Sequence, residues 1–217
     1  ILPVGRQIAE PLMAHQGLSK IEAFASAAAW LERVNIPMAG KRMQEYPHQL
    51  SGGMRQRVMI AMALACNPKL MIADEPTTAL DVTIQAQILD LMNKLKDETG
   101  AAILFITHDL GVIAEMAQNV AVMYAGKVME YTDVKTIYAN PKNPYTIGLL
   151  QSIPVLGRES KENRLKTISG VVPSLLNLPA GCLYSDRCPD VFSDCRQLEP
   201  QMVPVADNHY VRCLKYA

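Results

Sequence analysis

The sequence predicts an α/β protein in which a helical segment leads into a parallel sheet with flanking helices, followed by a loop-rich, cysteine-containing C-terminal extension. Three observations predict it. "KLMIAD" and "AAILFIT" are short, nearly continuous apolar runs of the kind found in strands buried on both faces, and a long amphipathic stretch separates them. The first 66 residues read as mostly helical. Beyond about residue 155 the chain turns proline-rich and gathers four of its five cysteines.

Each element has its own signal. "VGRQIAEPLMAHQ" has helical spacing, with Pro11 as a kink or break, and Ser19-x-x-Glu22 forms a capping box ahead of "IEAFASAAAWLERV". Pro37, Gly40 and Pro47 make "NIPMAGKRMQEYPHQ" a linker that delivers the chain to Ser51-Gly52-Gly53. A serine and two glycines ahead of a helical run expose backbone N–H groups at a helix start, whose natural ligand is an anion such as phosphate. In "DVTIQAQILDLMNKLKDETG", Asp81 is placed as N-cap and Gly100 as C-cap. "VAVMYA" is expected as a third strand of the same parallel sheet, "KVMEY" as an edge strand, and Asp133–Tyr138 and Pro144–Ile153 as short helices. The chain thus divides into a helical segment 1–66, a core half 67–154 and an extension 155–217.

Composition excludes several classes. The 217 residues carry 21 basic and 21 acidic side chains, so nothing electrostatic argues for nucleic acid or an anionic membrane surface. The longest uncharged stretch, Thr167–Ser185, is interrupted by Gly170, Pro173, Asn177, Pro179 and Gly181, and cannot be a spanning helix. No basic segment followed by an apolar one opens the chain, so a cytosolic location is expected, and Ile1 in place of Met points to a piece of something longer.

Chemistry concentrates at the carboxyl ends of the two apolar runs. Asp74 and Glu75 close the first and Thr107-His108-Asp109 close the second, the edge where ligands gather in parallel sheets. Adjacent carboxylates there diverge, so one can face a metal–phosphate group and the other an attacking water. Two acids alone could be a solvated strand end, and a lone histidine a structural one, but three polar groups at neighbouring strand ends favour a site. Arg55 and Arg57 read as a solvated helix face, and Cys66 as a buried small hydrophobe.

"LSGGMRQR", then "LMIADEPTTALD", then "ITHD" resemble, in order and spacing, the signature motif, Walker B with D-loop, and switch histidine of the ATP-binding cassette (ABC) family. "YPHQLSGGMRQRVMIAMALA", "DEPTTALDVTIQAQIL" and "MYAGKVMEY" are similar to its branch that energises import of dipeptides and oligopeptides. The resemblance implies a partial RecA-like ABC ATPase core. It implies that Ser51, Gly52, Gly53 and Gln56 serve ATP, that Asp74 holds Mg²⁺ through water, and that Glu75 activates the attacking water. His108 would contact the γ-phosphate, and Asp81 would cross a dimer interface. It also implies a second cassette subunit, identical or paralogous, membrane permease subunits, an extracellular or periplasmic solute-binding protein met indirectly, and a peripheral place on the cytoplasmic face of the membrane.

A phosphate-cradling G-x-x-x-x-G-K-[ST] loop is absent. The two Gly-Lys pairs, Gly40-Lys41 and Gly126-Lys127, have Asn35 and Ala121 where the first glycine is needed, and Arg42 and Val128 where Ser or Thr is needed. The sequence therefore resembles the C-terminal two-thirds of a cassette subunit, with Walker A and Q-loop upstream.

Cys182, Cys188, Cys195 and Cys213 follow C-x5-C-x6-C-x17-C. Four thiolates suit a [4Fe–4S] cluster or tetrahedral zinc; the Cys188-Pro189 pair and the lack of tight C-x2-4-C pairs favour the cluster over zinc or free thiols. The extension of peptide-importer ATPases, which this tail resembles, is associated with an iron–sulfur cluster. His209 is expected at the surface or behind the ligands. Two further readings stay open: a metal-binding or redox module on a non-hydrolytic cassette scaffold, and a chromosome-maintenance ATPase, which would call for a coiled coil and a basic face that the sequence lacks.

Overall fold

A computed structural model describes residues 2–153 and 167–217, which fall into two compact units that divide between His108 and Asp109. The expected boundary near residue 155 lies outside the described residues.

The first unit opens with α1 (Val4–Gln16), whose Val4, Ile8 and Leu12 recur every fourth residue and are all buried. Fully burying each such side chain is worth roughly 1.5–3 kcal/mol. That stripe carries the helix through Pro11, which lies within it and does not end it, and Gly17 closes it in the left-handed conformation. The capping box forms ahead of α2 (Lys20–Arg33), with Ser19 N–H donating to Glu22 Oε2 and Glu22 N–H to Ser19 Oγ. The linker is more ordered than its prolines predict. It holds a short α3 (Ala39–Arg42) and a 3₁₀ turn at Pro47–Gln49, and is tied to α1 by Val4 N–H to Glu45 O and Gly5 N–H to Met43 O.

Next come α4 (Gly52–Leu64), β1 (Leu70–Asp74), α5 (Val82–Thr99) and β2 (Ala102–Ile106). The strands pair in parallel from Leu70↔Ala102 to Asp74↔Ile106, so Asp74 and the residues after Ile106 share one sheet edge. Asp81 Oδ1 caps α5 at Ile84 N–H and Gly100 ends it at φ 69°. Arg57 departs from the solvated face expected of it, donating to Val34 O (3.0 Å) and Gln87 Oε1 (3.1 Å). Cys66 lies past the end of α4 and is half-buried rather than buried. On one face of the sheet Met71 and Ala73 are buried; on the other Leu70, Ile72, Leu104 and Ile106 are exposed.

The second unit holds α6 (Leu110–Met116), β3 (Asn119–Tyr124), β4 (Lys127–Asp133), α7 (Val134–Ala139), α8 (Pro144–Gln151), β5 (Met202–Ala206) and β6 (His209–Arg212). Its sheet runs β3-β4-β6-β5 and is antiparallel throughout, which corrects two expectations. The "VAVMYA" strand does not extend the parallel sheet, because Ala125 and Gly126 both take positive φ (45° and 82°) and fold it straight back onto β4; a parallel partner would need a crossover. The "KVMEY" strand is interior, since β6 covers its second edge. The β5–β6 hairpin within the extension was hidden by its brevity and by Pro204. No helix among the described residues is long and apolar enough to cross a membrane.

Candidate functional site

The glycine pair is a helix start, as its sequence demands. Ser51 is the N-cap of α4, its Oγ accepting from Met54 N–H, while Gly52 and Gly53 occupy the first turn, whose N–H groups have no intrahelical acceptor. Gly53 packs closely on the segment that follows the sheet edge, while Gly52 meets it only at ordinary contact distance. A Cβ on Gly52 would lie 3.7 Å from Leu80, and one on Gly53 only 2.7 Å from Cγ2 of Ile84. Smallness at Gly53 lets the start of α4 approach the first turn of α5. Gln56 is half-buried one turn on, and Asp74 is exposed at the end of β1.

Glu75 leaves the strand in an unusual way. Its N–H still donates to Ile106 O, continuing the ladder, but its φ is +45°, a left-handed conformation that costs a non-glycine residue about 1–3 kcal/mol and is found where function retains it. The Glu75 Oε1 oxygen stands 3.0 Å from His108 Nδ1, and Thr78 Oγ donates to its Oε2 at 2.9 Å. These two hydrogen bonds, His108 first, hold the Glu75 carboxyl below its ordinary range, so it is an anion at neutral pH. The ends of β1 and β2 therefore assemble an oriented carboxylate–imidazole pair open to solvent, with a second carboxylate beside it. Such a pair can accept a proton from a water and hold it in line with an electrophile. Thr78 is the residue that reading the sequence did not single out; the signal was a hydroxyl three positions after Glu75, the spacing of a side-chain-braced turn.

The four cysteines of the extension also come together. Cys182, Cys188, Cys195 and Cys213 line one cavity with Asn143 and Arg212, and none is in a disulfide. Cys182 N–H donates to Cys195 O at 2.8 Å, joining two loops of the site. Burial pushes the Cys182 and Cys213 thiols up, and Cys188 to about 11. His209 corrects its expected place at the surface: it is 2 % exposed and paired with Glu130. Among the described residues, no group of three or more His, Cys, Asp or Glu side chains is arranged to hold a metal ion, so the thiols share a cavity without forming a ligand set around one point.

Residues 5–78 match the family model described as ABC transporter, and residues 129–195 that of the oligopeptide/dipeptide transporter C-terminal region. The chain belongs to the ABC transporter family. A peptide import ATP-binding protein of Brucella melitensis biotype 1 is 53% identical over 220 residues, covering 100% of this chain and 65% of that protein. The oligopeptide transport ATP-binding protein OppD of Escherichia coli K12 is 53% identical over 197 residues, 91% of this chain and 58% of OppD. The chain thus spans less than two-thirds of the length of these relatives. The solved dimer of the ATP-binding cassette MJ0796 in a post-hydrolysis state, bound to ADP and Pi, superposes with a TM-score of 0.54 at 31% identity, over 62% of this chain and 57% of that one. The α/β architecture of this ABC chain is therefore that of the family's cassettes. The first match takes in Ser51, Gly52, Gly53, Gln56, Asp74, Glu75 and Thr78; the second takes in Glu130, Asn143 and three of the four cysteines.

Proposed function

We propose that this chain is the signature- and Walker B-bearing part of the ATP-hydrolysing subunit of a peptide importer. The observation that carries the reading is the Glu75–His108 pair, braced by Thr78, at the same sheet edge as Asp74. In this reading Glu75 deprotonates the attacking water, His108 orients that carboxylate and meets the γ-phosphate, and Asp74 holds Mg²⁺ through water. Mg²⁺ keeps much of its water shell, which suits a single exposed carboxylate. Ser51, Gly52, Gly53 and Gln56, with the α4 dipole, close on ATP held by a second cassette, and Asp81 reaches across the same interface.

The Walker A loop that the 217 residues lack would come from a segment outside them. The exposed apolar face of β1 and β2 supports this, because parallel sheets are normally covered on both sides. The permease would be met by the helical segment 1–66, with residues 67–154 as core half and 155–217 as extension. The protein would lie peripherally on the cytoplasmic face, handling peptides delivered through a solute-binding protein, and no nucleic acid.

Mixing the chain with an intact peptide-import cassette tests this. Light scattering should show 1:1 association that requires MgATP, and the chain alone should show no saturable ATPase activity. Association independent of nucleotide, or saturable turnover by the chain alone, would overturn the reading.

A second reading concerns the cysteines, which we propose bind a [4Fe–4S] cluster in preference to zinc. Their common cavity and the Cys188-Pro189 pair support it, while the present thiol arrangement does not form a ready ligand set. When bound, such a cluster supplies thiolate-held iron in place of four protonated thiols. Anaerobic purification should give about four irons per chain with a visible sulfur-to-iron absorption band; stoichiometric zinc without iron would reject it.

A further inference from the structure

Glu130 sits in the middle of β4 and is fully buried, where an unpaired carboxylate would be strongly destabilising. Its oxygens are filled by three donors. Oε1 meets His209 Nε2 and Lys142 N–H, each at 2.7 Å, and Oε2 accepts from Asn143 N–H at 2.9 Å. Asn143, itself 1 % exposed, is thereby aimed: its Nδ2 donates to Met129 O (3.2 Å) and Arg212 O (3.0 Å), and its Oδ1 caps α8 at Tyr145 N–H. The Arg212 guanidinium completes the frame by donating to Val128 O and Pro200 O. The residue directly before Cys213 is therefore fixed by its carbonyl and by its side chain. Asn143 and Arg212 line the same cavity as the four thiols, and β6 pairs with β4 only at Glu130↔Val211 and Tyr131↔Tyr210, so the ladder ends short of Cys213.

We propose that the buried network of Glu130, Asn143 and His209, and not a bound metal, sets Cys213 in the wall of the four-cysteine cavity, making Glu130 and Asn143 positioning residues of that site. The proposal deepens the cysteine reading above and shares with it only the idea that the cavity is a ligand site. Its physical basis is that Glu130, Asn143 and His209 are all buried and are hydrogen-bonded to one another and to the backbone. Glu130→Gln would leave one backbone N–H facing an amide N–H₂, and Asn143→Asp would set carboxylate oxygens against two carbonyls, without changing side-chain size.

The test is site-resolved alkylation of the reduced, chelator-treated full chain with iodoacetamide, read by mass spectrometry at each cysteine. In the wild-type chain Cys213 should react slowly without metal. Both Glu130→Gln and Asn143→Asp should raise its rate by at least about tenfold, the consequence expected of unpaired buried groups on local opening. Cys66, in the other unit, serves as control and should keep its wild-type rate. An unchanged Cys213 rate in both variants overturns the proposal, and so does a parallel rise at Cys66, which would mean general unfolding. Metal analysis separates the two readings: a metal-free wild-type chain with slow Cys213 removes the cluster and leaves the network standing, whereas Cys213 protection that vanishes on chelation overturns the network.

Discussion

Glu75→Gln is expected to lower ATP turnover by about 10²–10⁴-fold, the usual contribution of a positioned general base, once the chain is assembled with a partner that supplies Walker A. Glutamine keeps the shape and can still accept from Thr78, so nucleotide-driven association should persist and ATP-bound dimers should accumulate. The geometry says on which step the effect falls. Glu75 is held by His108 and Thr78 in one orientation and kept ionised by them, so the loss falls on proton transfer rather than on binding. Because its pKa is lowered, the carboxylate form is favoured in the folded chain. Whatever stability the pair contributes is present above the ordinary glutamate value and is lost as pH falls through the lowered one. The site is open to solvent in the chain alone, so that contribution is small and the signature to measure is kinetic. Turnover and the yield of ATP-bound dimer should be read on the same preparation. Unchanged turnover would exclude Glu75 as the base; equal loss of dimer would assign it to binding instead.

How much of this was legible beforehand differs between the two units. In the first, local signals agree with the tertiary outcome. Ser19, Ser51 and Asp81 cap the helices they precede, Gly100 ends α5, and two apolar runs pair in parallel with their polar ends together. What the sequence could not reveal there was the left-handed turn at Glu75 and the role of Arg57, since both depend on where a neighbouring element lies. In the second unit the strands were visible but their pairing was not. Ala125-Gly126 is a turn signal weaker than Asn-Gly, yet it reverses the chain and turns an expected parallel strand into a hairpin. Glu130 and His209 are 79 positions apart, so neither could be read as buried until β4 and β6 were seen side by side. The cysteine spacing pointed to one site, and the four do share a cavity, but spacing alone does not fix the distances among thiols.

Gly181→Ala should be the most damaging single-methyl change in the second unit. The added Cβ would lie 2.4 Å from Cys195 O, 2.6 Å from the carbonyl carbon of Arg196 and 2.8 Å from Gln197 N. All three atoms are backbone, so no side chain can turn aside, and the 195–197 segment must move. Moving it strains the Cys182 N–H to Cys195 O bond that joins two walls of the cysteine cavity. Forced overpacking of this kind costs about 1–3 kcal/mol, and in a unit of this size that lowers the unfolding midpoint by roughly 5–15 °C. Thermal unfolding followed alongside alkylation of Cys195 should show both changes together, since the thiol and the displaced backbone belong to one residue. Gly40→Ala provides the opposite case. It lies within α3, a Cβ there meets nothing within 4 Å, and its φ is not positive, so alanine should be neutral or stabilise by up to about 1 kcal/mol. The same methyl group thus tests two reasons for glycine, and a Gly181→Ala chain with wild-type stability would mean that the loop approach at Cys195 is looser than its geometry requires.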